Sequence, residues 1–387
     1  MEAKCLSEAQ QLSLDIITTL PETITETILC LLPIEEAART SILSREWRYK
    51  WTKIPKLIFH SSGEFERTGE NTASDIQMAR KNMDGRCKLF YVVYQVLLLH
   101  QGPIHEFALH MDADYHCFEV DQIILYLSRN HALKKLQLEF MGQGVYKLPL
   151  CAFSLHQLTD LDLSQIDLDH QPIFGGFPKL RSLNLCSVSI STKALLHLLS
   201  NCPSLTRFIV FFEGTDDKDC TIIELFECLP AIEHLDTHTV SFVEMLVLDS
   251  LPKELPTLLI HLRYVRLKDA WLSDDGLCFL AALIKCSPNL EKICLELDCI
   301  YDYDDEIWSG ILEEYSDVSL EHLNELEIGY FSIMNPEMEF VKFILARSPK
   351  LKKLRLWGLD ETDQLDSEML KTLLRSQCVS PVEIVVE

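Results

Sequence analysis

From residue 104 onward the apolar positions recur as Leu-x-x-Leu-x-Leu, with Ile, Val or Phe standing in for Leu. Copies begin at Ile104, Leu133, Leu158, Leu180, Leu205, Ile232, Leu262, Leu290, Leu323 and Leu351, spaced 22 to 33 residues apart. The second half of each copy alternates apolar and polar, the period of a strand with one buried face. Proline stands two residues before the first apolar position at Pro178, Pro203, Pro230, Pro288 and Pro349. It closes the preceding helix and leads the chain into the strand. Between copies there are helix signals. Thr192 is a candidate cap for Lys193–Leu199, with Asn201 beyond its end. Asn335-Pro336 opens a helix on which Met338, Val341, Ile344 and Leu345 form one stripe. Each copy is thus a short strand, a turn and a helix. Stacked, such units give an α/β solenoid with parallel strands on the concave side and helices outside.

The alternation also sorts the polar residues. Those flanking the second apolar position of each copy face away from the core. They are Lys135 and Gln137, Asp160 and Asp162, Ser182 and Asn184, Arg207 and Ile209, His234 and Asp236, Tyr264 and Arg266, Lys292 and Cys294, Glu325 and Glu327, and Lys353 and Arg355. Both charge signs are present, which suits a protein partner. Solvated strand positions with no further role account for any single one equally well. His234, Asp236, Tyr264 and Arg266, in mid-array, are the candidate target-binding residues.

A different period governs residues 14–56. Leu20-Pro21 opens a helix, with proline at its first position and Thr19 as a candidate cap. Ile24, Ile28, Leu31 and Leu32 follow at steps of three and four. Pro33 starts a second short helix with Glu35 and Glu36 in its first turn, where the helix dipole favours them. Ser44 caps a third, on which Trp47 and Trp51 share a face opposite Arg45, Arg48 and Lys50. Three helices this short have too little interior to bury all of these side chains. The surplus docks either on the rest of the chain or on another protein.

The run Leu20-Pro21, Ile24, Ile28, Leu31-Leu32-Pro33, Glu36-Ala37, Arg39-Thr40-Ser41, Leu43-Ser44-Arg45, Trp47-Arg48 and Trp51, preceded by Asp15, resembles an F-box. It is most similar to the F-box of the plant family that carries F-box, leucine-rich-repeat and FBD segments. The tail from residue 320 resembles the FBD segment, through Leu323 to Ile328, Glu339 to Leu345, Ser348-Pro349, Leu351 and Ser380 to Ile384. The resemblance implies a fold of an N-terminal three-helix F-box followed by a leucine-rich-repeat solenoid. Its segments are a tail at 1–13, the F-box at 14–56, a connecting segment at 57–103, repeats at 104–319, and last repeats with an FBD-like cap at 320–387. It implies that the F-box binds the Skp-type adaptor of a cullin–RING (SCF-type) ubiquitin ligase through Leu20, Pro21, Ile24, Ile28, Leu31, Leu43, Ser44, Trp47 and Trp51. The repeats would then hold a target protein for ubiquitination. Two other readings stand beside it: a repeat scaffold that works without the ligase, and a small-molecule receptor. The second is disfavoured because the concave positions show no cluster of Lys and Arg for an anionic cofactor.

Composition narrows the partners. The chain has 387 residues and a net charge of −24. Such acidity disfavours nucleic-acid backbones and anionic membranes, whose binding depends on Lys and Arg. The apolar run at Phe90–Leu99 is too short to span a bilayer. Residues 1–14 lack the basic and apolar regions of a secretory leader. The 14 cysteines are scattered, without C-x-x-C, and no Asn-x-Ser/Thr is present. A cytoplasmic or nuclear protein with reduced thiols is expected.

Catalytic and metal patterns are weak. His110, Asp112, Asp114 and His116 alternate, but in what reads as a loop. Cys294 and Cys299 have no histidine at a zinc spacing. Asp302, Asp304, Asp305 and Glu306 lack the spaced ligands and glycine of an EF-hand loop. Gly142, Gly144, Gly175 and Gly176 have no P-loop lysine. No cofactor, no metal and no enzymatic activity are expected.

Overall fold

In the computed structural model the described residues are 20–61, 75–112, 117–129, 132–141, 144–168, 176–211, 220–238, 246, 258–270, 274–297, 319–331, 335–358, 374, 379 and 381–386. The chain divides into two compact units, Met1–Leu158 and Thr159–Glu387. The candidate cap Thr19, the segment 62–74 and the acidic cluster at Asp302 to Glu306 lie outside the described residues.

The first unit begins with helices Glu22–Cys30 and Ile34–Arg39, followed by 3-10 segments Thr40–Ile42 and Trp47–Lys53. The third helix of the module is therefore 3-10 and not α. Pro21 sits one residue before the first helix, in an extended conformation, and its carbonyl accepts from the backbone N–H groups of Ile24 and Thr25. Glu46, and not Ser44, occupies the cap position of Trp47–Lys53, although Ser44 Oγ accepts from the Trp47 N–H at 3.2 Å.

The chain then enters strand Lys56–His60 at once. That strand lies in what the sequence marks as a connecting segment. It pairs in parallel with Glu106–Asp112, which pairs with Lys135–Met141. Leu57, Phe107 and Leu136 stand in register, as do Phe59, Leu109 and Leu138, and all six are buried. Helices Asp75–Leu99 and Phe118–Arg129 lie between these strands in sequence.

The module is tied to the first strands by backbone bonds. Gln101 N–H donates to the Thr52 carbonyl at 2.8 Å, and His105 and Glu106 N–H donate to that of Pro55 at 2.8 and 3.0 Å. Gly102 packs so closely on Lys53 that a Cβ there would lie 2.8 Å from its carbonyl oxygen.

The second unit is the repeat array. Strands Asp160–Ser164, Ser182–Cys186, Arg207–Phe211, His234–His238, Tyr264–Ala270, Lys292–Leu297, Glu325–Gly329, Lys353–Trp357 and Glu383–Val386 pair in parallel, each with the next. Leu161, Leu183, Phe208, Leu235, Val265, Ile293, Leu326, Leu354 and Ile384 form one continuous buried row. No copy could bury these side chains alone; each neighbour covers the next.

Helices Thr192–Ser200, Ile222–Glu227, Asp274–Cys286 and Asn335–Arg347 connect strands. The stripe Val341, Ile344 and Leu345 is buried as expected. Ser191, and not Thr192, occupies the cap position of its helix. Thr221 makes a reciprocal cap with Glu224: the Glu224 N–H donates to Thr221 Oγ1 at 3.3 Å, and the Thr221 N–H donates to the Glu224 carboxylate at 2.8 Å. The Lys292 ammonium, bonded to Glu325, holds that carboxyl below its ordinary range.

Strand exit uses the left-handed backbone region at Gln165, Ser187, Tyr330 and Gly358, each one residue past its strand. At Gly329, in the strand before Tyr330, a Cβ would fall 2.5 Å from the indole of Trp357. Gly329→Ala is therefore expected to lower stability by about 1–3 kcal/mol, because the indole must swing away. Gly85, within helix Asp75–Leu99, has open space around it, and Gly85→Ala is expected to add about 0.5–1 kcal/mol. Urea unfolding of both variants checks the pair; a neutral Gly329→Ala would contradict the packing described.

Candidate functional site

Two surfaces combine exposure with specific chemistry. The first belongs to the N-terminal module. Its interior is made by Leu29, Ile34, Ala37, Trp47, Trp51 and Ile54, all buried. Trp47 is 3% exposed and Trp51 8%, and Lys50 lies over the Trp47 ring at 5.1 Å. Both indoles serve the module's own core. This corrects the expectation that they face a partner. Helix Glu22–Cys30 turns Thr25 and Leu29 inward. Its stronger apolar stripe points out: Ile24 is 47% exposed, Ile28 38% and Leu31 81%. Leu43 is 54% exposed, Pro21 is exposed, and Leu20 and Ser44 are half-buried. The neighbouring Leu32 and Ile42 are exposed as well. A folded module thus keeps a row of large aliphatic side chains in water, which is the signature of a surface that another molecule covers. On the flank beside this row, a hollow of about 230 Å³ is lined by Glu22, Thr25, Glu26, Leu29, Glu46, Tyr49, Lys50 and Lys53.

The second surface is the face of the second unit's sheet opposite its leucine row. Strand register assembles it in three rows. Arg207, His234, Tyr264, Lys292, Glu325 and Lys353 form the first, and Ile209, Asp236, Arg266, Cys294, Glu327 and Arg355 the second. His234 and Tyr264 are neighbours with ring centroids 5.7 Å apart, and Asp236 is beside Arg266. The four residues singled out from the sequence therefore sit together. The third row holds Phe211, His238, Lys268 and Glu296. The Phe211 and His238 rings meet edge to face at 4.6 Å, and Lys268 lies 4.7 Å over Phe211. The Leu-x-x-Leu-x-Leu pattern ends one residue short of this row, so motif reading misses it. Extending the alternation by one step along each strand would have found it.

Ion pairs organise the face. Arg266 Nε donates to Glu296 at 3.0 Å, and this bond raises the guanidinium's affinity for its proton. Lys292 bridges Glu325 and Glu327, both at 3.0 Å. Arg355 approaches Glu327 at 3.7 Å. His238 Nδ1 meets Asp269 at 2.6 Å. Asp236 differs from these acids. Burial pushes its carboxyl upward, opposed by Lys268, Arg266 and Arg207, and among the described residues its buried Oδ1 has no hydrogen-bond partner. Burial pushes the Cys294 thiol up to about 11, so this residue stays protonated between its charged neighbours. Arg207, Arg266, Lys268 and Lys292 come from three of four consecutive strands, Arg266 and Lys292 being paired with carboxylates.

Metal patterns gain nothing. Among the described residues no group of three or more His, Cys, Asp or Glu side chains could hold a metal ion. His110 bonds Glu139 at 2.6 Å and stacks on His60 at 4.5 Å. Asp114, His116 and Cys299 lie outside the described residues. Among the described residues no helix is long and apolar enough to cross a membrane.

Residues 125–216 match the family model described as FBD-associated F-box protein At5g56370, LRR repeats. The F-box/FBD/LRR-repeat protein At1g13570 of Arabidopsis thaliana is 29% identical over 417 residues, covering 95% of this chain and 97% of that protein. The putative F-box/FBD/LRR-repeat protein At5g52460 of the same plant is 26% identical, covering 97% of this chain and 96% of that protein. A third, At3g26920, is 28% identical over 54% of this chain and 44% of its own length. The chain therefore resembles plant F-box/FBD/LRR-repeat proteins along nearly its whole length.

The module's inside and outside can be separated by stability. Trp47→Ala is expected to cost about 3–5 kcal/mol, as for other buried aromatics. Leu31→Ser and Ile28→Ser are expected to change unfolding free energy by no more than about 0.5 kcal/mol. Thermal melting of the three variants checks this. Equal losses would mean the stripe is packed and not bare.

Proposed function

We propose that the chain is the substrate-recognition subunit of an SCF-type cullin–RING ubiquitin ligase. The module at residues 14–56 would bind a Skp-type adaptor, and the repeat array would hold a target protein. The observation that carries this reading is the bare stripe of Ile24, Ile28 and Leu31, with Leu43, on a module whose own core is already filled by Trp47 and Trp51. Burying that stripe is favourable at about 25 cal/mol per Å² of apolar surface. The printed names of the relatives, all F-box/FBD/LRR-repeat proteins, support the same reading. Target capture by the array then raises the local concentration of ubiquitin-accepting lysines near the ligase.

On this reading the chain needs no catalytic group and no cofactor of its own. Ubiquitin transfer belongs to other subunits, and the protein works in the cytoplasm or nucleus, where such ligases act.

The test is co-purification with a Skp-type adaptor. The double variant Ile24→Asp/Ile28→Asp is expected to lose adaptor binding by more than about a hundredfold, since two desolvated apolar anchors become charged. Its melting temperature should stay within a few degrees of wild type. Retained binding would exclude these contacts. Failure of the wild-type chain to bind any adaptor would leave a repeat scaffold that works without the ligase.

A further inference from the structure

The chain holds a net −24, yet in the middle of the open face the cations Arg207, Arg266, Lys268 and Lys292, from three of four consecutive strands, outnumber the acids Asp236 and Glu296. Arg266 is committed to Glu296, and Lys292 to Glu325 and Glu327. Asp269, on the rim, is bonded to His238. Arg207 and Lys268 make no ion pair among the described residues, and Lys268 rests on the Phe211 ring. Between them lies Asp236, whose Oδ1 is buried. Among the described residues neither Arg207 nor Lys268 has a carboxylate within ion-pair distance. They stand two strands and four register positions apart, roughly 15 Å by strand geometry. One free carboxylate or phosphate cannot reach both, whereas two acidic side chains on one extended segment can.

We propose that the middle of this face binds an acidic, extended segment of the protein that the chain recruits, with carboxylates on Arg207 and Lys268. The inference rests on the reading of the repeat array as a target-holding surface and names the chemistry of what it holds. The rest of the acidic chain repels such a segment and so confines it to this strip.

The experiment is selection of short random peptides on the full-length protein, followed by calorimetry on the enriched peptides. The enriched pool should be acidic. Arg207→Glu and Lys268→Glu should each weaken binding about tenfold, while Lys88→Glu, on the long helix of the first unit, leaves it unchanged. A peptide with its acids replaced by Lys should bind the Arg207→Glu/Lys268→Glu double variant and not wild type. Melting curves confirm that each variant is folded. Neutral or basic enriched peptides, or acidic ones indifferent to both substitutions, would overturn the inference while leaving the array a protein-binding surface. Displacement of the peptide by free glutamate or citrate at equal carboxylate concentration would overturn it in favour of a small-anion site. The absence of any enriched peptide would sink the target-holding reading itself, and this inference with it.

Discussion

The second unit depends on the register of its leucine row. A strand of five residues with two or three apolar side chains has no stable state alone. Placed in parallel beside a copy of itself, it covers its neighbour's apolar side chains and is covered in turn. Because side chains alternate, fixing Leu161, Leu183, Phe208 and Leu235 in one line also fixes every residue between them on the opposite face. A slip of one position would bury Asp236 and Arg266 and expose the leucines. The chemistry of the open face is thus set by the packing of the closed one. Recognition can change by surface substitution while the fold stays the same.

That coupling explains how much was legible beforehand. The repeats announce themselves because two periods coincide, a strand's alternation and a recurrence of 22 to 33 residues. The closing strand Glu383–Val386 falls inside the FBD-like cap segment at 320–387. The first strand was not legible, although Ile54, Leu57 and Phe59 occupy the same three positions as any later copy and are all buried. The next copy begins at Ile104, so the recurrence fails there and the motif passes for the end of the module. The module itself shows the limit of helical periodicity. Trp47 and Trp51 share a face, but spacing cannot say whether that face points inward or outward. Folding decides it: the two indoles fill the interior together with Leu29, Ile34, Ala37 and Ile54, and the aliphatic stripe is left outside. The open face was half legible. Row membership follows from alternation, whereas the meeting of Lys268 with Phe211 needs the strand-to-strand register that folding supplies.

Charge shows the same division between composition and arrangement. A net −24 argues against anionic partners when the chain is treated as a uniform body. Over distances longer than about 10 Å, salt screens most of that total. What a docking segment meets is the local set, and there Arg207 and Lys268 flank a carboxyl whose ionisation they favour against burial. Glu325 and Glu327, both on strand Glu325–Gly329, are already occupied by Lys292 of the strand before. Among the described residues ion pairs occupy Arg266, Lys292 and Arg355, while Arg207 and Lys268 make none.

The junction between module and sheet gives the first unit its mechanical character. Gln101, His105 and Glu106 bond carbonyls at Thr52 and Pro55, the His100 ring bonds the Ile54 carbonyl at 2.8 Å, and Lys56 reaches Glu106 across paired strands at 3.5 Å. The module is therefore not carried on a flexible tether. It ends in the first strand of a sheet whose next two strands follow from the same chain segment. A flexible link spreads its ends over a volume that grows with its length and dilutes whatever it joins. A link made of consecutive backbone bonds fixes orientation as well as distance. Whatever covers Ile24 and Ile28 is thereby held in a set direction relative to strands Lys56–His60, Glu106–Asp112 and Lys135–Met141, and the geometry of any larger assembly built on this chain starts from that constraint.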